Sequence, residues 1–116
     1  MGRGRGVARA VERGEVRLYL FPQPDKRRPV LVLTRSSALK YLGTATVAPI
    51  TKTIRGVPSE VVLGIEDAMK EACAVNLHNA VTVDQRRLGK RLAQLSGRRM
   101  AEVCAALYFA LGCDQR

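Results

Sequence analysis

The run Lys26-Arg27-Arg28-Pro29-Val30-Leu31-Val32-Leu33-Thr34 is the tightest constraint in the sequence. Proline has no N–H and a fixed φ, so within a sheet it opens a strand or sits on an edge. The residue before a proline is driven into extended backbone. Arg28 is therefore expected at the mouth of a strand that residues 30–33 carry into the core. Those four are apolar on both faces, which fits a central strand. Two readings of the basic cluster stay open: a fixed guanidinium at the rim of a sheet, or a solvated charge run ahead of a core strand.

Around this strand the other elements fall into place. From Gly14 the chain alternates, with Val16, Leu18 and Leu20 on one face and Arg17, Tyr19 and Phe21 on the other, as in a strand. Two prolines within residues 21–25 then mark a loop. Residues 36–42 read as a short helical turn with Ser36 at its start and Gly43 at its end. Residues 44–51 are β-branched and fit a third strand. Pro49 cannot donate to a ladder, so pairing is expected to break or bulge there and re-aim Thr51.

Residues 51–58 form an exposed polar loop, 60–63 a fourth strand, and 64–71 a polar crossing. Two short extended stretches, 72–77 and 80–83, flank His78 and Asn79. Residues 84–95 are ambiguous. Leu88, Leu92 and Leu95 have helical spacing, Gly89 interrupts it, and a strand over 91–95 also fits. Ser96 caps a last helix whose apolar positions are Met100, Val103, Cys104, Leu107 and Leu111, with Gly112 as its stop. Short strands with one closing helix indicate a mainly β, α+β domain built as a small, strongly bent sheet or barrel. Residues 1–12 are expected as a flexible Gly/Arg-rich extension and 13–116 as a single domain.

Charge narrows the partner. Twenty Lys and Arg against ten Asp and Glu give +10, a field suited to a polyanion, with nucleic acid ahead of acidic protein or a membrane surface. No apolar run approaches the ~20 residues that span a bilayer, and no hydrophobic segment follows the N-terminal arginines. A cytoplasmic protein is expected. Cys73, Cys104 and Cys113 are odd in number and form no C-x-x-C pair, so neither a metal site nor a disulfide is expected; Cys73 and Cys104 read as buried.

Elimination limits the chemistry. His78 is the only histidine, so one chain holds no His–His acid–base pair; a turn histidine and a site residue are equal readings of it. There is no P-loop, no nucleophile elbow and no evident carboxylate pair. Basic and hydroxyl groups remain, with Arg28 and Thr51 able to meet at one rim of a bent sheet. RNA cleavage by its own 2′-hydroxyl needs little beyond donors aimed at the phosphate's non-bridging oxygens. Arg28 supplies a planar fork matched to phosphate and Thr51 a hydroxyl. Arginine stays protonated and is a poor general base, so these residues leave the proton path open.

With these positions in hand, the chain resembles the MazF/PemK family, mRNA interferase toxins of bacterial toxin–antitoxin systems, from Arg13 to about Asp114. The resemblance rests on Arg13-Gly14-Glu15-Val16, Arg28-Pro29-Val30-Leu31-Val32-Leu33, Val47-Ala48-Pro49-Ile50-Thr51, Glu60-Val61-Val62-Leu63 and the final amphipathic helix, in that order. It implies an SH3-like β-barrel of the MazF/PemK/CcdB type, working as a homodimer without a metal or other cofactor. It implies sequence-selective cleavage of single-stranded RNA to 2′,3′-cyclic phosphate and 5′-hydroxyl ends, inhibiting translation. The family's functional arginine falls on Arg28 and its functional threonine on Thr51. The family's antitoxins are acidic and partly disordered, which suits a +10 surface. In the family, residues 84–95 correspond to a turn and then a strand.

One departure concerns Asn76-Leu77-His78-Asn79, where many relatives carry an acidic residue or glutamine. Asn76, His78 and Asn79 fit base-edge contacts in the groove, and they fit plain turn polarity equally. Gln23 and Lys26, before Arg28, and Lys52 and Arg55, after Thr51, divide in the same way between RNA contacts and solvation. The same barrel also serves gyrase poisons, and a non-catalytic RNA-binding module fits the charge, so fold alone does not choose among the three.

Overall fold

The computed structural model describes residues 10–22 and 27–113. Seven strands form one antiparallel sheet: β1 (Glu15–Leu20), β2 (Arg27–Val32), β3 (Thr44–Thr51), β4 (Glu60–Leu63), β5 (Cys73–Asn76), β6 (Val81–Asp84) and β7 (Leu88–Gln94). Two helices join them, α1 (Ser36–Leu39) and α2 (Gly97–Leu111). The order is β4-β5-β3-β2-β1-β7, with β6 also on β3. The expected α+β architecture is present, but among the described residues β4 and β7 do not pair, so the barrel is left open. Helix α2 lies against β4, and an open groove remains between them.

Strand β3 is the spine. On one edge it pairs with β2, Val30 opposite Pro49, Leu31 opposite Ala48 and Val32 opposite Val47. On the other it pairs first with β6, Val47 opposite Val81, and then with β5, Ile50 opposite Val75 and Thr51 opposite Ala74. Between those two registers the partner strand carries three extra residues. They are extruded as the 3₁₀ turn Leu77–Asn79, beside the stretch of β3 that holds Pro49. The ladder thus breaks where the missing N–H predicts.

The alternation of β2 and β3 divides the interior in two. Leu31, Leu33, Ala48 and Ile50 join Val75, Leu77, Val103 and Ala106 under α2. Val30, Val32, Ala45 and Val47 meet Val11, Tyr19, Leu39, Val83 and Leu88 on the opposite face. Each large aliphatic chain so buried contributes about 1.5–3 kcal/mol over leaving it exposed. The second face claims Tyr19, whose ring meets Phe21 edge-on at 4.8 Å, and leaves Leu20 exposed.

Local departures from the sequence reading have local causes. Helix α1 is shorter than expected, and Ser36 does not cap it, because its Oγ accepts the Arg13 N–H at 2.9 Å. Residues 88–94 are strand: a Cβ on Gly89 would sit 3.3 Å from the Leu18 carbonyl oxygen, so the glycine permits close pairing with β1. Helix α2 is capped by Ser96, whose Oγ accepts from the Arg99 N–H, and stops at left-handed Gly112. Its inner stripe runs through Val103, Ala106, Leu107 and Ala110. Cys104 therefore lies outside the stripe and is exposed, with Arg13 Nη2 at 2.9 Å from its Sγ, contrary to the burial expected of it. Cys73 is buried, and burial pushes its thiol pKa up, followed by Asp67 and Glu71. No helix among the described residues is long and apolar enough to cross a membrane.

Two ion networks add to what the cores hold. The Glu15 carboxylate accepts from Arg17 Nη1 at 2.7 Å and from the Glu12 N–H at 3.1 Å, while Arg17 Nε donates to the Gly89 carbonyl at 2.7 Å. Both charges are buried between β1 and β7. In the second network Arg99 bonds Asp67, Glu66 and Glu102 at 2.8–3.0 Å, tying α2 to the crossing after β4. Burial pushes the Asp67 carboxyl up, but the Arg99 hydrogen bond, the Gly64 N–H and the charges of Arg99 and Arg98 outweigh it and hold it below its ordinary 3.8.

Two outcomes are expected. Glu15→Ala leaves a buried guanidinium without its carboxylate and lowers unfolding free energy in urea by about 3–5 kcal/mol. Lys52→Ala, which breaks an exposed pair, lowers it by less than about 1 kcal/mol. Because the folded Asp67 value is depressed, its stabilisation is present above the unfolded 3.8 and is lost as pH falls through the folded value. Urea titrations from about pH 5 downward therefore show a smaller acid-side loss in Asp67→Asn than in the wild type.

Candidate RNA-cleavage site

Arg28 is the second residue of β2, half-buried, opposite Tyr19 on β1. Thr51 ends β3, half-buried, opposite Ala74 on β5. Carrying the Val30–Pro49 pairing two residues further along both strands brings Arg28 level with Thr51. Both positions keep the alternation of Val30 and Val47, so they share the sheet face away from α2. Nε of Arg28 is shielded from solvent. Thr51 Oγ1 accepts the Thr53 N–H at 3.1 Å, which leaves its own O–H to be donated outward.

The loop after Thr51 is tethered. The Glu60 carboxylate accepts the N–H groups of Arg55, at 3.1 Å, and Gly56, at 3.0 Å. Sequence reasoning missed Glu60 as a positioning residue; its signal was a carboxylate four residues after a loop glycine. The Arg55 side chain is exposed, and Lys52 Nζ pairs with Glu71 at 2.9 Å. Gln23 and Lys26 lie outside the described residues.

The trio after β5 is divided by the structure. Asn76 sits opposite Glu60 on the face of Ala74 and therefore of Thr51; it is 8% exposed, and its Oδ1 is buried without a hydrogen-bond partner among the described residues. His78 lies on the extruded turn, where Nδ1 shares a hydrogen bond with Ser59 Oγ, and the turn packs on α2. Asn79 on the same turn is exposed. The extruded turn that holds His78 beside Ser59 contacts β3 as well as α2. Among the described residues no three His, Cys, Asp or Glu side chains gather as metal ligands would.

An open antiparallel sheet with a closing helix is the fold this chain shares with solved MazF toxins. Residues 12–111 match the family model described as PemK-like, MazF-like toxin of type II toxin-antitoxin system. The chain belongs to that family. It is 44% identical over 90 residues to a probable endoribonuclease, MazF5, of Mycobacterium tuberculosis, covering 77% of this chain and 83% of the relative. Its structure is similar to that of the Mycobacterium tuberculosis toxin MazF-mt6, with a TM-score of 0.77 and 30% identity over 84% of this chain and 96% of the other. It is also similar to a mycobacterial endoribonuclease solved with its cognate antitoxin, with a TM-score of 0.79 and 25% identity over 89% and 96% of the two chains.

Proposed function

We propose that this chain is the toxin of a type II toxin–antitoxin pair, an endoribonuclease that cuts single-stranded RNA in the cytoplasm and so inhibits translation and growth. The observation that supports this reading is the β2–β3 register, Val30 opposite Pro49, which, continued two residues along each strand, would bring Arg28 beside Thr51 on a +10 protein. The RNA's 2′-hydroxyl attacks the adjacent phosphorus, the bond from phosphorus to the 5′-oxygen breaks, and a 2′,3′-cyclic phosphate and a 5′-hydroxyl result. The proton lost from the 2′-oxygen is balanced by one gained at the 5′-oxygen. Charge gathers on the non-bridging oxygens, where the Arg28 fork and the Thr51 hydroxyl donate. Arg55, Lys52, Lys26 and Gln23 flank this point in sequence and take neighbouring phosphates or bases; Asn76 offers an amide on the same face. His78 and Asn79 read bases only where the strand reaches the extruded turn.

The antitoxin is an acidic segment that covers the basic face. A second copy of the chain takes a different surface. Between β4 and α2 lies a groove of about 480 Å³ bordered by Val62, Ala105 and the half-exposed Phe109. Glu60 and Glu102 line it, and Glu66 and Asp67 reach it through Arg99. Repulsion between two +10 chains is least where carboxylates collect.

Cleavage of RNA in EDTA tests the reading. Arg28→Ala and Thr51→Ala each lower the rate by about 10²–10³, with unchanged circular dichroism and thermal midpoint. Wild-type rates in both variants, or intact RNA alongside inhibited gyrase, would overturn it. For self-association, Phe109→Asp shifts the sedimentation coefficient from dimer to monomer; a wild type that sediments as a monomer at micromolar concentration removes that part.

A further inference from the structure

At the opposite end of β3 from Thr51 the surface holds an aromatic ring that neither core nor the cleavage site uses. Tyr41 is 83% exposed, the most exposed of the large hydrophobic side chains among the described residues. An exposed ring on a slack loop would carry no meaning, but this loop is fastened. Gln85 Nε2 shares its two hydrogens among three of the loop's carbonyls, Leu39 at 2.9 Å, Leu42 at 2.8 Å and Thr44 at 3.0 Å. The Gln85 N–H adds a bond to the Gly43 carbonyl at 2.9 Å, and the Tyr41 N–H donates to Ala38 at 3.0 Å. Leu39, two residues earlier, is buried in the core away from α2. The backbone on both sides of Tyr41 is therefore held while its ring projects into solvent.

The loop and the turn that fastens it both carry cations. Lys40 adjoins Tyr41, and Gln85, which holds the loop, is followed directly by Arg86 and Arg87. Asp84, the carboxylate that caps the Gln85–Arg87 turn, is engaged by Arg86 at 2.9 Å. Lys40 and Arg87 form no ion pair among the described residues. An exposed aromatic ring on a held backbone, with unspent cations on the same loop and turn, is a combination that binds unpaired nucleotides, the ring stacking on a base and the cations meeting phosphates. An acidic peptide would satisfy the cations but has no general need of a flat ring.

We propose that Tyr41, with Lys40 and Arg87, is a second RNA-binding site, which stacks an unpaired base of the substrate well away from the cleaved bond. It rests on the reading of the protein as a single-strand endoribonuclease. Thr51 and Thr44 are seven residue steps apart on β3, or roughly 23 Å. An RNA that only just covers the cleaved bond does not reach Tyr41, whereas a longer one does. The site would give affinity for long unpaired stretches without contacting the reacting atoms.

The test uses 2′-O-methyl RNA, which lacks the attacking hydroxyl and so reports binding whether or not the protein cuts. Fluorescence anisotropy gives Kd for a 5-mer and a 20-mer of the same core sequence. Tyr41→Ala is expected to weaken the 20-mer by about 5- to 100-fold and leave the 5-mer unchanged. Tyr41→Phe, which keeps the ring, restores wild-type binding. Lys40→Glu with Arg87→Glu flattens the salt dependence of 20-mer binding only. Equal effects of Tyr41→Ala on both lengths, or none on either, overturn the proposal. So does an unchanged 20-mer Kd together with weaker capture of an acidic antitoxin peptide, which would make this a protein-docking site. Binding with the expected length dependence but no cleavage of ordinary RNA defeats the nuclease reading alone.

Discussion

The pairing of Val30 with Pro49 governs the rest of the molecule. Side chains alternate along strands, so a slip of one residue between β2 and β3 would turn every side chain of one strand to the other face. Arg28 and Thr51 would then part company, and Leu31 and Val30 would exchange cores. Because β2 is apolar on both sides, polarity alone does not fix this register, and the fit of Val30 and Leu31 in their separate cores has to. Hydrogen bonds beyond the strands pin it further, from the Leu33 N–H to the Thr46 carbonyl and from the Thr46 N–H to Thr34 Oγ1.

Much of this was legible because proline speaks locally. Pro49 breaks the β3 ladder through covalent geometry alone, whereas Pro29 does not open β2: the strand starts two residues earlier, where Arg27 and Arg28 already pair with β1. The two-sided apolar run 30–33 announced a central strand in the same way. What stayed hidden depends on distant partners. Residues 84–95 carry leucines at helical spacing, and only the approach of Leu18 to Gly89 decides for a strand. Arg17 alternates like a solvent-facing residue, yet Glu15 and the Gly89 carbonyl, the latter seventy-two positions away, bury it. Cys104 fits an amphipathic stripe until the packing of Val103 and Ala106 rotates the helix slightly and exposes it.

The site divides along the same line. Strand residues, whose facing follows from period two, landed where the sequence put them. The residues of the turn after β5 did not form one group, since that turn bends by a tertiary rule: Leu77 is drawn into the core under α2 and His78 is drawn to Ser59. Asn76, the last residue to obey the strand, keeps the face of Thr51. A chain that is basic nearly throughout also confines its carboxylates to structural tasks, at Glu15, Glu60, Asp67 and Asp84, each bonded to a cation or a backbone N–H.

The three-residue extrusion opposite Pro49 has a bearing on how such a protein diverges. Because the excess residues stand outside the ladder, their number and identity can drift through substitution or small insertions while the strands on either side keep their alignment. The turn Leu77–Asn79 can thus change its surface chemistry at little cost to the pairing of β3 with β5 and β6.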